Sequence, residues 1–149
     1  MKVDVALCLP QEAETVTLIR GVVSYTLERF GVTPDCINDI RLALSEACTN
    51  VVDHAALEDE YEVRLEVDDD CCQITVMNTG QGFDADALAG VMPDTASARG
   101  RGVAIMRAVM DHVSFASEPE AGTVVHLVKR IDLLPAGALA RLKRRRTTH

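Results

Sequence analysis

Apolar residues in the first 55 positions change from a strand period to a helix period. In residues 2–9, Val3, Val5 and Leu7 lie at the two-residue spacing that puts side chains on one face of a strand. From residue 12 to residue 30 the apolar positions recur at three- and four-residue steps, as in one stripe of an amphipathic helix. The pattern predicts a first strand, compatible with a sheet edge, and then a helix that ends at Gly31.

A second helix is predicted to begin after Thr33 and Pro34. Thr is a usable N-terminal cap, and Pro is the residue best tolerated at the first helical position. The predicted buried stripe of this helix consists of Ile37, Ile40, Leu44, Ala47, Val51 and Ala55.

The second half of the chain alternates between strand patterns and a glycine-rich stretch. Strands are predicted near residues 60–67 and 72–78, joined as a hairpin by an acidic turn. Residues 79–102 show little periodicity and predict a long functional loop. A helix over 102–111 and two strands, near HVSFAS and TVVHLVKR, complete the predicted core.

Composition fits one globular domain with an aliphatic core. The chain has 149 residues, of which 48% are apolar and only 3% aromatic, and it contains no Trp. We expect a domain over residues 1–134 and a fraying basic tail over 135–149. Five cysteines cannot all pair and lack zinc-ligand spacing, which predicts buried, reduced thiols.

The charge distribution bears on partners and location. The tail carries five basic side chains and no acidic one, which leaves 10 basic against 23 acidic side chains in residues 1–140. A body this acidic should repel nucleic acid, so no direct nucleic-acid contact is expected. No apolar run approaches the roughly 20 residues that cross a bilayer, and a secretory signal pattern is absent, so we expect a cytoplasmic protein without membrane contact.

Candidate chemistry begins on the second helix, in EACTNVVDHA. Glu46, Asn50 and His54 follow one another at four-residue steps along one edge of that helix. An amide oxygen at Asn50 could ligate a hard metal ion, and Glu46 could orient or deprotonate a hydroxyl. The alternative is a polar, solvated helix face, and His54 alone is better explained by a structural role.

Two glycine clusters follow. NTGQGFD places Gly80 and Gly82 directly after an apolar strand, where glycine lets a flat ligand approach the main chain. RGRGVAIM places glycines and arginines before an apolar helix, where unpaired N–H groups favour an anion. Neither cluster has the spacing of a Rossmann site or a Walker-type P-loop.

The order of the boxes carries more information than any one of them. ExxxN on a helix, (D/N)xGxG after a strand, GxG opening a helix and Gly122-Thr123 before the last strand together resemble the GHKL ATPase superfamily. The short form, with EACTNVVDHA and GRGVAIM, is similar to the bacterial anti-sigma factor serine kinases over roughly residues 5–130. The resemblance implies an α+β fold of Bergerat type: a two-layer α/β sandwich whose mixed, mostly antiparallel sheet has helices on one face.

The resemblance also implies ATP and Mg²⁺ as cofactors and assigns roles to residues. Asn50 would hold the Mg²⁺ that bridges the phosphates, and Glu46 would be the catalytic residue that orients or deprotonates the accepting hydroxyl. Asn78 stands where the family usually has an Asp that accepts the adenine amino proton. The other implied nucleotide-binding residues are Gly80, Gly82 and Thr123 near the base, and Arg99, Gly100, Arg101 and Gly102 near the phosphates. Residues 84–99 would form the lid, and they are called the candidate lid below.

The amide at Asn78 changes the expected strength of binding. An amide oxygen still accepts a hydrogen bond from the adenine amino group, but without the charge assistance of a carboxylate. The loss predicts ATP binding weaker by about 1 kcal/mol than with Asp at this position.

The implied function is that of an anti-sigma factor with ATP-dependent serine/threonine kinase activity. It would sequester a sigma factor and phosphorylate a small STAS-domain antagonist, and an edge strand with exposed apolar helix surface is compatible with a homodimer. One alternative is a non-catalytic regulator that binds ATP weakly or not at all and acts by sequestration. Another is an interaction module whose glycine loops are only structural.

Overall fold

A computed structural model describes residues 2–54, 60–79, 98–118 and 122–135. Within these residues the chain forms five strands and three helices. The strands are β1 (Val3–Pro10), β2 (Glu60–Val67), β3 (Cys71–Thr79), β4 (His112–Glu118) and β5 (Gly122–Arg130). The helices are α1 (Ala13–Phe30), α2 (Pro34–His54) and α3 (Ala98–Val109).

The strands form one sheet in the order β1-β2-β3-β5-β4. β1 lies at one edge, and β2 and β3 form the predicted hairpin. The α+β sandwich is confirmed, but where a mixed sheet was expected, all four pairings in the described part of the chain are antiparallel. No strand pair in these ranges therefore needs a parallel crossover connection.

The core lies between the sheet and the helices. Alternate residues of β2, β3 and β5 are buried, which is the period expected when one sheet face is covered. α2 packs against β3 and β5, and its stripe is buried as predicted at Ile37, Ile40, Leu44, Ala47 and Val51. Ala55, the last predicted member, lies outside the described residues.

Gly31 ends α1 as predicted. Its φ of 91° is a left-handed conformation that only glycine adopts at little cost. Its N–H donates to the Glu28 carbonyl, and the next N–H, of Val32, donates to the Leu27 carbonyl. Leu134 then donates its N–H to the Gly31 carbonyl, so the end of the described chain returns to this cap.

Helix α3 differs from the predicted helix. It is described from Ala98 to Val109, whereas the sequence pattern predicted residues 102–111. Gly100 and Gly102 therefore lie inside the helix, and residues 98 and 99 of the candidate lid are helical. Glycine lowers helix propensity by about 1 kcal/mol relative to Ala, so the local sequence favoured a loop and the packing of α3 against α2 overrides it.

Several predicted features fall outside the described residues. They are residues 80–97, which hold most of the candidate lid, and residues 136–149, which hold most of the basic tail. No helix in the part of the chain that the structure describes is long and apolar enough to cross a membrane.

The cysteines are all free, as predicted, but they are not all buried. Burial raises the pKa of the Cys48 and Cys72 thiols to about 12, so these thiols are protonated. Cys8 is exposed and Cys71 is half-buried, because each alternates with the core-facing residues of its strand, which corrects the expectation for these two residues.

Candidate functional site

Glu46 and Asn50 of α2 meet Gly102 of α3. A Cβ atom added at Gly102 would lie 3.1 Å from Oε2 of Glu46 and 3.6 Å from both Oδ1 and Nδ2 of Asn50. The carboxylate and the amide therefore point to the same place, although the two residues are separated by one helical turn. The structure therefore brings together the ExxxN segment of α2 and the GxG segment of α3.

Asn50 does not lie on a solvated helix face. Its relative exposure is 8%, and its Nδ2 has no hydrogen-bond partner within the described residues. Most buried polar groups in native proteins are paired, so an unpaired buried amide indicates a missing partner. This observation argues against the solvated-face alternative and favours a ligand site.

The start of α3 contributes differently from the prediction. Gly102 is the fifth residue of α3 as described, so its N–H faces the Ala98 carbonyl in the helical hydrogen-bond pattern. Gly100 lies in the first turn, where N–H groups lack helical partners and favour an anion. Arg101 is exposed, and only the helical backbone of Arg99 is described. A phosphate role for these residues stays a prediction.

A second polar pair lies on the sheet. Asn78 of β3 and Thr123 of β5 are Cα partners in the antiparallel register and are 3% and 2% exposed. They continue the core-facing rows that end with Val76 and Val125, so both residues face the helix layer. Oδ1 of Asn78 is buried and has no hydrogen-bond partner among the described residues.

Asn50 on α2 and the pair of Asn78 and Thr123 on the sheet lie toward the same end of the fold. At the opposite end, Nζ of Lys129 lies 3.3 Å from Oδ2 of Asp39, which fixes the start of α2 over the end of β5. From Asp39, Asn50 is about 16 Å further along α2, at a rise of about 1.5 Å per residue. From Lys129, Thr123 is about 20 Å back along β5, at about 3.3 Å per residue. Since α2 packs on β3 and β5, Asn50 and Thr123 both lie toward the end of the core away from Lys129.

The same lysine also fixes α3. Nζ of Lys129 donates a 2.6 Å hydrogen bond to the Val109 carbonyl at the end of α3, in addition to its ion pair with Asp39. A cation at a helix C-terminus is favourable because it meets the negative end of the helix dipole. Sequence reasoning missed this residue, since a lysine in a strand gives no signal of its partners. Lys129 sets the relative position of the two helices that carry Glu46, Asn50 and Gly102.

The donors present are compatible with Mg²⁺. Amide and carboxylate oxygens are ligands that Mg²⁺ prefers, and Mg²⁺ commonly takes only one or two protein ligands beside phosphates and water. No group of three or more His, Cys, Asp or Glu that could hold a metal occurs in residues 2–54, 60–79, 98–118 and 122–135. The residues therefore fit a phosphate-bound Mg²⁺ and do not form a metal cage of their own.

Two predicted glycines of the site and one of the histidines considered lie outside what the structure describes. Gly80 and Gly82 are outside the described residues, as is the side chain of His54. His112 donates or accepts a 2.8 Å hydrogen bond with Ser114 on the exposed sheet face, consistent with a structural role.

Sequence comparisons identify proteins that are similar to this chain over most of its length. The sequence profile described as histidine kinase-like ATPase domain matches residues 9–129. The chain is 34% identical over 135 residues to the serine-protein kinase RsbW of Bacillus subtilis, covering 83% of each protein. It is 31% identical over 134 residues to RsbW of Halalkalibacterium halodurans, covering 84% of this chain and 82% of the relative.

Solved structures with the same fold include two bacterial proteins. The structure of the RsbU and RsbW domains of a Mycobacterium tuberculosis protein matches with a TM-score of 0.67 at 20% identity, covering 87% of this chain and 32% of that chain. The SiaB-SiaC complex of Pseudomonas aeruginosa matches with a TM-score of 0.56 at 14% identity, covering 85% and 88%. At these identities the likeness shows the fold alone.

Proposed function

Because the chain belongs to the histidine kinase-like ATPase domain family, among the RsbW serine-protein kinases, we propose that it is an anti-sigma factor that phosphorylates a protein antagonist with ATP. The acceptor is a Ser or Thr on a small STAS-domain protein, and the second partner is a sigma factor. The observation that carries the proposal is the convergence of Glu46 and Asn50 on Gly102. It supports one site for a nucleotide, its metal ion and the accepting hydroxyl.

Asn50 and the start of α3 are the groups proposed to bind the phosphates. The buried amide of Asn50 would supply an oxygen ligand to Mg²⁺, and Gly100 in the first turn of α3 would present its N–H to a phosphate oxygen. Mg²⁺, when bound, neutralises the negative charge of the phosphates. Arg101, and Arg99 beside it, would add positive charge near this helix terminus.

Glu46 is the group proposed to act on the accepting hydroxyl. It is half-buried, and Oε2 lies beside the α3 backbone at Gly102, next to the Asn50 amide. In the transfer, the hydroxyl oxygen forms a bond to the γ-phosphorus while the bond from that phosphorus to the β–γ bridging oxygen breaks. ADP leaves, and the hydroxyl proton passes to the Glu46 carboxylate. Phosphoryl transfer asks mainly for positioning and charge neutralisation, so a fixed carboxylate suffices.

Asn78 and Thr123 are the residues proposed to contact the base. Their burial at the end of the sheet where Asn50 lies supports this assignment. Gly80 and Gly82 follow Asn78 directly in the sequence and would line the same pocket. In this proposal the base would lie on the sheet and the phosphates would lie at α3.

Partner exchange requires exposed surface for protein contacts. Leu18 and Tyr25 of α1 are 56% and 62% exposed, and they line an open groove of about 480 Å³ together with Gly21 and Val22. Large exposed apolar side chains that form a continuous surface are typical of interaction sites. This surface supports a protein-binding role and is compatible with the proposed homodimer.

A second candidate function follows from the uncharged base contact. Because Asn78 lacks the charge of a carboxylate, the protein could bind ATP weakly or not at all and act by sequestration alone. The two functions share the fold and the partners and differ in whether Glu46 and Asn50 engage a magnesium nucleotide.

One experiment separates these functions. ATP with Mg²⁺ is titrated by calorimetry, and the protein is then incubated with γ-labelled ATP and candidate STAS-domain proteins. Binding of candidate sigma factors is measured with and without ATP. The kinase binds ATP and transfers label to a Ser or Thr of one candidate. ATP binding without transfer, or sigma-factor binding without any nucleotide binding, contradicts the kinase proposal and supports the sequestering regulator. Absence of both ATP and sigma-factor binding contradicts both functions.

A further inference from the structure

The groups proposed to contact the base carry no charge. Asn78 contributes an amide and Thr123 a hydroxyl, and the two residues face each other across β3 and β5. Both are at least 97% buried, and Oδ1 of Asn78 has no hydrogen-bond partner in the described part of the chain. An unpaired acceptor at this depth is costly, which indicates a ligand as its partner.

The Asn78 side chain has no fixed hydrogen-bond polarity. An amide carries an acceptor oxygen and a donor NH₂, and a rotation of its terminal torsion exchanges them. A carboxylate, by contrast, only accepts. Asn78 can therefore complement a donor or an acceptor at the same position of a ligand.

Purine bases differ in this polarity at their 6-position. Adenine carries a donor amino group there and an acceptor at N1, whereas guanine and hypoxanthine carry an acceptor carbonyl and a donor N1–H. Oδ1 of Asn78 matches the amino group, and Nδ2 of Asn78 matches the carbonyl after the amide rotates.

We propose that Asn78 makes the nucleotide site accept both 6-amino and 6-oxo purine nucleoside triphosphates, and that it is the residue that sets base specificity. This inference rests on the proposed function only in placing the purine of the nucleotide at Asn78. A charged acceptor at this position would repel the 6-oxo group, since the two oxygens would face each other without a proton between them.

The test is a comparison of dissociation constants for ATP, GTP, inosine triphosphate and UTP with Mg²⁺, measured by calorimetry on the full chain. Inosine triphosphate carries the 6-oxo group without the 2-amino group of guanine, so it isolates the feature that Asn78 reads. For the parent protein we expect ATP and inosine triphosphate to bind within about tenfold of each other, and UTP to bind at least tenfold more weakly.

The Asn78→Asp variant supplies the matched comparison. It keeps the size and the acceptor but removes the donor, so inosine triphosphate should lose about 10- to 100-fold in affinity relative to ATP. Circular dichroism verifies that the variant folds. If the variant does not fold, the ratio of the dissociation constants for ATP and inosine triphosphate in the parent protein decides the inference. Binding of inosine triphosphate more than about tenfold weaker than ATP in the parent overturns the inference and leaves the proposed function standing. Equal affinity for UTP also overturns it, whereas failure of every nucleotide to bind overturns the proposed function itself.

Discussion

Gly102 and Glu46 are so close that the space between them admits no further carbon atom without a shift. A Cβ at Gly102 would lie 3.1 Å from Oε2 of Glu46, a distance shorter than ordinary van der Waals contact. Because Gly102 has no side chain, the Glu46 carboxylate can lie against the backbone of α3. The glycine that the sequence marks as a phosphate contact also has a steric role in the site.

Replacement of Gly102 by Ala should separate stability from activity. Ala is favoured over Gly in a helix interior by about 0.8–1.0 kcal/mol, and the contact is with the movable end of a side chain. We therefore expect the free energy of unfolding to stay level or rise, while displacement of the Glu46 carboxylate lowers phosphate transfer about tenfold. Urea unfolding and label transfer from ATP measure the two effects.

Gly21→Ala is the matched control for the helix effect. Gly21 lies inside α1, and a Cβ there would meet nothing within 4 Å. We expect a gain in unfolding free energy of about 0.8–1.0 kcal/mol with unchanged ATP binding. If Gly102→Ala transfers phosphate as fast as the parent, the steric role of Gly102 is wrong.

Glu46→Gln tests the carboxylate itself. The amide has nearly the same size and should keep the contact with Gly102, so ATP affinity should change little. It cannot take up the hydroxyl proton, so the transfer rate should fall by about 10²- to 10⁴-fold. Calorimetry checks binding, and single-turnover transfer of labelled phosphate checks the rate. Full transfer by this variant would remove Glu46 from the mechanism.

His126 should make stability depend on pH. Partial burial, with a smaller contribution from nearby His112, lowers the pKa of His126 below its usual 6.5, and the attraction of Glu66 opposes this shift. The unfolded chain then binds the proton more readily than the folded chain, so the unfolding free energy should fall as the pH drops through about 6.5. Urea unfolding at pH 7.5 and pH 5.5 measures the decrease.

The comparison for this prediction is His126→Asn. The amide oxygen can accept the hydrogen bond of the Thr75 hydroxyl, which lies 2.9 Å from Nδ1 of His126, but the amide does not titrate. The variant should lose less stability than the parent between the two pH values. An equal loss in the two proteins would show that His126 does not contribute to the pH dependence.

Lys129 should contribute to stability through the positions of α2 and α3. Its side chain is 15% exposed, and Lys129→Met removes its hydrogen bond to the Val109 carbonyl and its ion pair with Asp39. We expect a loss of about 1.5–3 kcal/mol in unfolding free energy, the usual range for a hydrogen bond to a charged group. Chemical denaturation measures the loss.

Arg64→Met serves as the control for Lys129→Met. It also removes one positive charge, but Arg64 is 58% exposed and pairs with Glu62 on the sheet surface. A surface pair of this kind contributes at most about 1 kcal/mol. Equal losses in the two variants would contradict a special role of Lys129.

The elements that the sequence predicted well are those whose signals are local. The apolar stripe of α2 and the start at Pro34 depend only on neighbouring residues, and so does the end of α1 at Gly31, where φ is 91°. Helix α3 was predicted four residues too short at its start because Gly100 and Gly102 locally favour a loop. The helix exists there because it packs against α2, which no local pattern shows.

The chemical groups available to the site can be read from the amino-acid sequence alone: a carboxylate and an amide one turn apart on a helix, and glycines in a definite order along the chain. The three-dimensional fold was needed to find that Gly102 lies against Glu46, 56 residues earlier, and that Asn78 lies opposite Thr123, 45 residues later. These contacts depend on strand order, on register and on how α2 and α3 pack. Contacts of this kind arise from burial of apolar surface between elements that are distant in sequence. The spacing of residues within one segment therefore does not predict them.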